Sequence, residues 1–121
     1  MKRVLIIEDE KPLRDAYGMV LEQEGFTIST AENGKVGMTK LKSFKPDLII
    51  LDMLMPVMDG ISFLKSADLT SQYPKTKTVI ISNLSDAITD AESKEYGVVK
   101  SFLKVNLSPL DLAAVAKEYC S

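Results

Sequence analysis

The sequence predicts an α/β fold, a doubly wound parallel sheet with helices on both faces, and three observations carry that prediction. Short continuous apolar runs, Val4-Leu5-Ile6-Ile7 and Leu48-Ile49-Ile50-Leu51 above all, read as strands buried on both faces, the mark of parallel rather than alternating half-solvated pairing. Between such runs lie stretches with apolar residues at helical spacing, so that strand and helix alternate five times over 121 residues. The central run stops on a carboxylate, Asp52, and is followed by Pro56 and Asp59-Gly60, which mark a loop and the start of the next helix. The carboxyl end of a buried parallel strand is where open α/β sheets hold their ligands.

Taken in order, Arg3 to Ile7 is the first strand and ends in Glu8-Asp9-Glu10. Pro12 suits the first turn of a helix, whose apolar face is Leu13, Tyr17, Val20 and Leu21 and whose end is Gly25. Phe26 to Ala31 reads as a half-buried edge strand, Asn33-Gly34 as a turn, and Val36, Met38 and Leu41 as a second helix with Gly37 inside it. Lys45-Pro46 breaks the chain before the central strand. Ile61, Leu64 and Ala67 mark a third helix, closed by a polar stretch to Tyr73-Pro74. Thr78 to Ile81 is the fourth strand, ending in Ser82-Asn83. Ser85 to Tyr96 is expected to be a helix packed on a narrow stripe of Ala87, Ile88 and Ala91, with Gly97 as its stop. Val98 to Leu103 is the fifth strand and ends in Lys104. Ser108-Pro109-Leu110-Asp111 is a helix start: Ser108 fits the N-cap, Pro109 the first helical position, and Asp111 the positive end of the dipole. Leu112, Val115 and Ala116 then face inward.

Composition narrows the function. The chain is expected to be a single domain over residues 1–121, with 45% apolar and 26% charged residues. A net charge of −2 leaves no basic footprint for nucleic acid or an anionic membrane. The apolar runs are too short to span a bilayer, and the acids that follow Lys2 and Arg3 do not suit a signal peptide. The single cysteine, Cys120, allows no internal disulfide and fits a reducing cytoplasm. The absence of histidine removes His-based general base catalysis, His metal ligation and a phosphohistidine-carrier role.

The strand ends hold the chemistry: Glu8 and Asp9 after the first, Asp52 after the third, Ser82 after the fourth and Lys104 after the fifth. In a parallel sheet these lie along one edge. Each residue alone has an ordinary explanation: acids leading into a helix, a turn serine, a solvated lysine. Together they are complementary. Several carboxylates in one pocket repel unless compensated, and a hard divalent cation with oxygen ligands, Mg2+ for choice, compensates them. Lys104 and the Ser82 hydroxyl add a cation and a donor suited to a phosphoryl group on an aspartate.

On the residues Ile6-Ile7-Glu8-Asp9-Glu10, Asp47 to Asp52, Met55-Pro56-Val57-Met58-Asp59-Gly60, Ser82 and Lys104, the chain resembles a receiver domain of two-component response regulators over essentially its whole length. The resemblance implies a flavodoxin-like fold with strand order 2-1-3-4-5. It implies Asp52 as phosphoacceptor, Asp9 as direct Mg2+ ligand with Glu8 beside it, and the Leu54 backbone carbonyl as a further metal contact. Ser82 becomes the switch hydroxyl and Lys104 the phosphoryl partner. The implied partners are a sensor histidine kinase or phosphotransfer protein and a downstream protein target, in the cytoplasm. The implied role is a signalling switch and not a turnover enzyme.

Departures from the family pattern add expectations. Val105 stands where the family has a proline after the lysine, so a trans bond is expected there. Ser101 occupies the switch-aromatic position, with Phe102 next to it. Asn83 follows Ser82, where a small residue is usual, and narrows the approach to Asp52. Leu54 and Leu84 stand where fast-hydrolysing receivers carry polar side chains, which predicts a long-lived phosphorylated state. Lys100 and the absence of arginine from 108–121 argue against the family's charge-paired dimer, and Ala113, Ala114 and Ala116 suggest a smooth helical face instead. Two other classes compete. An aspartyl-phosphate phosphatase of the haloacid dehalogenase type wants a second Asp where Leu54 stands, and a phosphorylation-independent binding module has no need of the acid, Ser and Lys set. A flavodoxin proper needs a phosphate-cradling loop where Glu8-Asp9-Glu10 would repel the phosphate.

Overall fold

The structure is a computed structural model that describes residues 2–83 and 88–120. Its elements are β1 (Arg3–Ile7), α1 (Lys11–Gln23), β2 (Thr27–Ala31), α2 (Gly34–Phe44), β3 (Leu48–Asp52), α3 (Gly60–Ala67), the single turn α4 (Leu69–Gln72), β4 (Lys77–Ser82), α5 (Asp90–Tyr96), β5 (Val98–Leu103) and α6 (Pro109–Cys120). The strands form one five-stranded sheet in the order β2-β1-β3-β4-β5, every pairing parallel. This is the flavodoxin-like order that the resemblance implied.

Two apolar layers sandwich the sheet, because successive strand residues point to opposite faces. Val4, Ile6, Leu48, Ile50, Val79 and Ile81 pack with Tyr17 and Leu21 of α1 and Leu112 and Ala116 of α6. Leu5, Ile7, Ile49, Leu51 and Ile80 pack with Leu41 of α2 and Phe63 and Leu64 of α3. All five residues of β3 are buried, as a strand covered on both faces must be.

Close approach explains two glycines. A Cβ on Gly37 would lie 2.6 Å from Ile7 Cδ1, so the residue that weakens α2 as a helix also lets it lie down on β1. A Cβ on Gly34 would lie 2.6 Å from the Met58 carbonyl oxygen, which accepts from Gly34 N at 3.1 Å and ties the start of α2 to the β3–α3 loop. Asn33, read as half of a turn, is the N-cap of α2: its Oδ1 accepts from Val36 N at 2.9 Å.

Three sequence expectations change. The helix foreseen from Ser85 begins at Asp90, because Thr89 and Glu92 form a reciprocal capping box there. Ser85 and Ala87 lie outside the described residues. Ile88 is half-buried ahead of the helix, Ala91 is exposed, and α5 has no fully buried residue. In the stretch read as polar, Leu69 is buried and opens α4, and Phe63, absent from the predicted α3 stripe, is fully buried. On α6, Ala116 faces the core as foreseen, but Ala113 does so too and only Ala114 is exposed, so the three alanines form no smooth outer face. The foreseen caps hold: Ser108 Oγ accepts from Asp111 N at 3.1 Å while Asp111 Oδ2 accepts from Ser108 N at 3.0 Å.

Candidate functional site

The sheet register assembles the site. Glu8 stands one residue past β1, still held by its amide on the Ala31 carbonyl at 3.0 Å. Asp52 closes β3 opposite Ile81, and Ser82 closes β4 opposite Leu103. Lys104 then begins a 3-10 turn, Lys104–Asn106. Among the described residues every peptide bond is trans, including that to Val105, which is 84% exposed. Glu8, Asp52 and Ser82 are essentially inaccessible, at 0%, 1% and 1% exposure.

Lys104 is the hub. Its Nζ lies 2.9 Å from Glu8 Oε1, 3.2 Å from Asp52 Oδ2 and 3.6 Å from Glu10 Oε1. Leu54 contributes its backbone, donating from N to Asp52 Oδ1 at 3.2 Å while its side chain stands 53% exposed. Glu10 N donates to Glu8 Oε2 at 3.0 Å. Carboxylate oxygens of Glu8, Asp9 and Glu10 lie within 4.8 Å of one another. The structure thus brings Glu8, Asp52 and Lys104 into direct contact, with Asp9 beside them and Ser82 at the neighbouring strand end. Asn83 is exposed, and Leu84 lies outside the described residues. Ser101 is exposed, whereas Phe102 packs half-buried against the layer that holds α1 and α6.

Burial dominates the electrostatics. It pushes Glu8 up to about 7, with Asp52 adding to the rise and the Glu10 amide and Lys104 holding it back. Asp52 is also raised, first by burial and then by a hydrogen bond with Asp9 that favours the protonated form. Burial acts on Asp9 in the same sense, but its hydrogen bonds with Asp52 and Glu8 outweigh this and leave it lowered. For Lys104 burial favours the neutral amine, and Glu8 and Asp52 outweigh it, so its ammonium is held more firmly than usual. The pocket is carboxylate-rich, with one lysine among four acids, and its all-oxygen donors suit a hard divalent cation.

Three residues of this end were not singled out by sequence reasoning. Glu10 reaches Lys104, and its place as third in the acid run was the available signal. Arg14 Nη1 donates to the Glu8 and Asp9 carbonyls at 2.7 and 3.4 Å, a contact open to a residue one helical turn beyond the loop. The Tyr17 hydroxyl is buried without a hydrogen-bond partner among the described residues and is raised to about 12 by burial and by Glu8. Nothing in the sequence separates it from the core face to which it was assigned.

A family model for the response regulator receiver domain matches residues 4–116. The chain is 36% identical over 104 residues to the probable C4-dicarboxylate response regulator DctR of Halalkalibacterium halodurans, which covers 84% of this chain and 44% of that protein. It therefore spans less than half the length of that relative. The solved structure of the chemotaxis protein CheY4 of Vibrio cholerae superposes with a TM-score of 0.85 at 27% identity, covering 98% of each chain. That of the response regulator TrrA of Thermotoga maritima, in complex with Mg2+ and BeF, superposes with a TM-score of 0.82 at 28% identity, covering 98% of this chain and 99% of that one.

Proposed function

The chain belongs to the response regulator receiver domain family, and from that premise we propose that Asp52 accepts a phosphoryl group from a phosphohistidine of a sensor histidine kinase or phosphotransfer protein. The observation that carries this reading is the contact between a buried carboxylate, Asp52, and Lys104 Nζ at 3.2 Å, at the end of the central strand.

In the transfer an Asp52 carboxylate oxygen attacks phosphorus. A P–O bond forms, the P–N bond to the imidazole breaks, and the imidazole nitrogen leaves with the electron pair. Lys104, already directed at Asp52 Oδ2, stays beside the transferred group and offsets the charge of its oxygens. The Ser82 hydroxyl donates to a phosphoryl oxygen, and drawing it toward Asp52 shifts the chain that follows β4. That shift alters the surface seen by a downstream protein.

The donor set fits Mg2+. It is composed of oxygens, its loop carboxylates converge within 4.8 Å, and burial leaves Glu8 poised near neutrality. Asp9, Asp52 and the Leu54 carbonyl would hold the ion, with Glu8 beside them. When bound, the ion supplies the positive charge that several neighbouring carboxylates and a phosphoryl group together require.

Residues 1–121 act on this reading as one receiver domain in the cytoplasm, a switch that performs chemistry on itself and signals by protein contact, with neither nucleic acid nor membrane as a direct partner. The net charge of −2, with no basic excess for nucleic acid or an anionic membrane, supports it. Beryllofluoride with Mg2+ is the test. Amide shifts at Asp52, Ser82 and Lys104 that need both components are expected, and an unchanged spectrum would overturn the proposal.

A further inference from the structure

Arg14 is in an unusual place for an arginine. It lies in the first turns of α1, where the helix dipole disfavours a cation. The ordinary fate of such a side chain is to extend into water. Here it is half-buried and folds back on the loop before the helix. Nη1 donates to the Glu8 carbonyl at 2.7 Å and makes a longer, 3.4 Å contact with the Asp9 carbonyl.

That loop has little else to hold it. Glu10, the N-cap residue of α1, makes no side-chain capping bond, and Pro12 in the first turn brings no N–H. Three consecutive carboxylates repel one another, and their oxygens are nonetheless held within 4.8 Å. The Glu10 amide on Glu8 Oε2 fixes one side chain, and Lys104 reaches Glu8 and Glu10 from across the sheet. Arg14 is the cation that grips the loop backbone itself, at the two residues that carry the first two of these acids.

We propose that Arg14 is a positioning residue for the cation site, its guanidinium holding the Glu8–Glu10 backbone in the shape that brings the loop carboxylates together. The inference rests on the reading of this cluster as a Mg2+ site. Among the described residues Arg14 pairs with no carboxylate, so it acts through the backbone, and the property it controls is the affinity of the site for the ion. Outer partners of metal ligands typically change affinity roughly 10- to 100-fold when removed.

The experiment is Mg2+ titration by calorimetry on the metal-free chain, its Arg14→Met variant and its Arg14→Lys variant, with melting in chelator measured beside it. Methionine keeps the apolar stem and removes the donors. The expected result is a Kd for Mg2+ raised about tenfold in Arg14→Met, partial recovery in Arg14→Lys, and metal-free melting close to that of the unaltered chain. The amide signals of Glu8, Asp9 and Glu10 should broaden or shift in the variant before any metal is added. An unchanged Kd in a folded Arg14→Met overturns the proposal. If that variant does not fold, Arg14→Gln replaces it under the same criteria. Failure of the unaltered chain to bind Mg2+ at all removes the metal reading itself, and is thereby distinct from a failure of Arg14's role alone.

Discussion

Asp47 and Asp52 flank the two ends of the same strand, β3, and their surroundings differ in nearly every respect. At the amino end Asp47 is half-exposed and accepts from Arg3 N at 2.9 Å, and its own N–H and C=O pair with Arg3 and Lys77. Beside it the Arg3 guanidinium donates to the Phe44 carbonyl at 2.7 Å and stacks over the Phe44 ring at 4.2 Å. Each charge there has a donor or water within reach. At the carboxyl end Asp52 is 1% exposed among other acids, paired with Lys104 and accepting from the Leu54 amide. A carboxylate with adequate donors is structural. One buried among like charges is under-compensated, and that deficit leaves room for a cation and a phosphoryl group.

The largest expected effect breaks the comparison outright. Asp52→Asn should abolish acid-labile label from acetyl phosphate with Mg2+, whereas Asp47→Asn should label as the unaltered chain does. Label retained in the first variant would put the chemistry elsewhere.

Next in size is the lifetime of the phosphorylated state. Leu54 stands 53% exposed beside Asp52 and cannot orient a water for hydrolysis. Leu84, outside the described residues, holds the second position at which fast-hydrolysing receivers carry a polar side chain. Replacing both, Leu54→Asn with Leu84→Glu, should speed phosphate release by roughly 10²-fold, the scale of a positioned water-orienting group. Release from the unaltered chain within seconds would contradict the slow turnover.

The third prediction concerns pH. Glu8 is raised from 4.5 to about 7 in the folded protein, so the fold binds that proton more tightly than the unfolded chain does. Metal-free stability should therefore fall as pH rises from about 4.5 to about 7, by ~2 kcal/mol. Glu8→Gln should flatten that slope and melt ~5–10 °C higher than the unaltered chain at pH 8 without Mg2+. Thermal melts in chelator across this range provide the check, with Asp47→Asn as the control from the other end of the strand.

The smallest effect is backbone strain. Lys45 and Asp68 take φ of 52° and 49° as C-caps of α2 and α3, an ordinary way to end a helix. Val57, in the loop after Asp52, takes φ of 71°, where a β-branched side chain is a genuine outlier. Val57→Gly should stabilise the fold by ~1 kcal/mol in denaturant titrations, the relieved strain exceeding the entropic cost of glycine. Lys45→Gly should change stability by less.

Much of this was legible in the sequence because it depends on local chemistry. Val4–Ile7 and Leu48–Leu51 are apolar without interruption because both faces of a parallel sheet are covered, and Ser108-Pro109 and Gly97 act within a turn of themselves. The start of α5 was also written locally, in Thr89-x-x-Glu92, but the preceding small residues suggested an earlier one. Phe63 and Leu69 were passed over because their burial depends on what α3 and α4 lie against, and Ala113, read with Ala114 as part of a smooth helical face, packs instead in the layer that α1 and the sheet occupy.

Periodicity and residue type, which act over a few positions, were enough to order the strands and helices along the chain and to name the residue at each strand end. The family and the candidate phosphoacceptor came from the resemblance carried by the motifs at those ends. Only the tertiary structure decided that Lys104 meets Glu8 and Glu10 as well as Asp52, and that Arg14 grips the loop between β1 and α1. It also decided that burial, more than any single neighbour, raises Glu8 and Asp52. Contacts across 96 positions, as between Lys104 and Glu8, depend on sheet register and on exclusion of water, and neither is written in any one stretch of the chain.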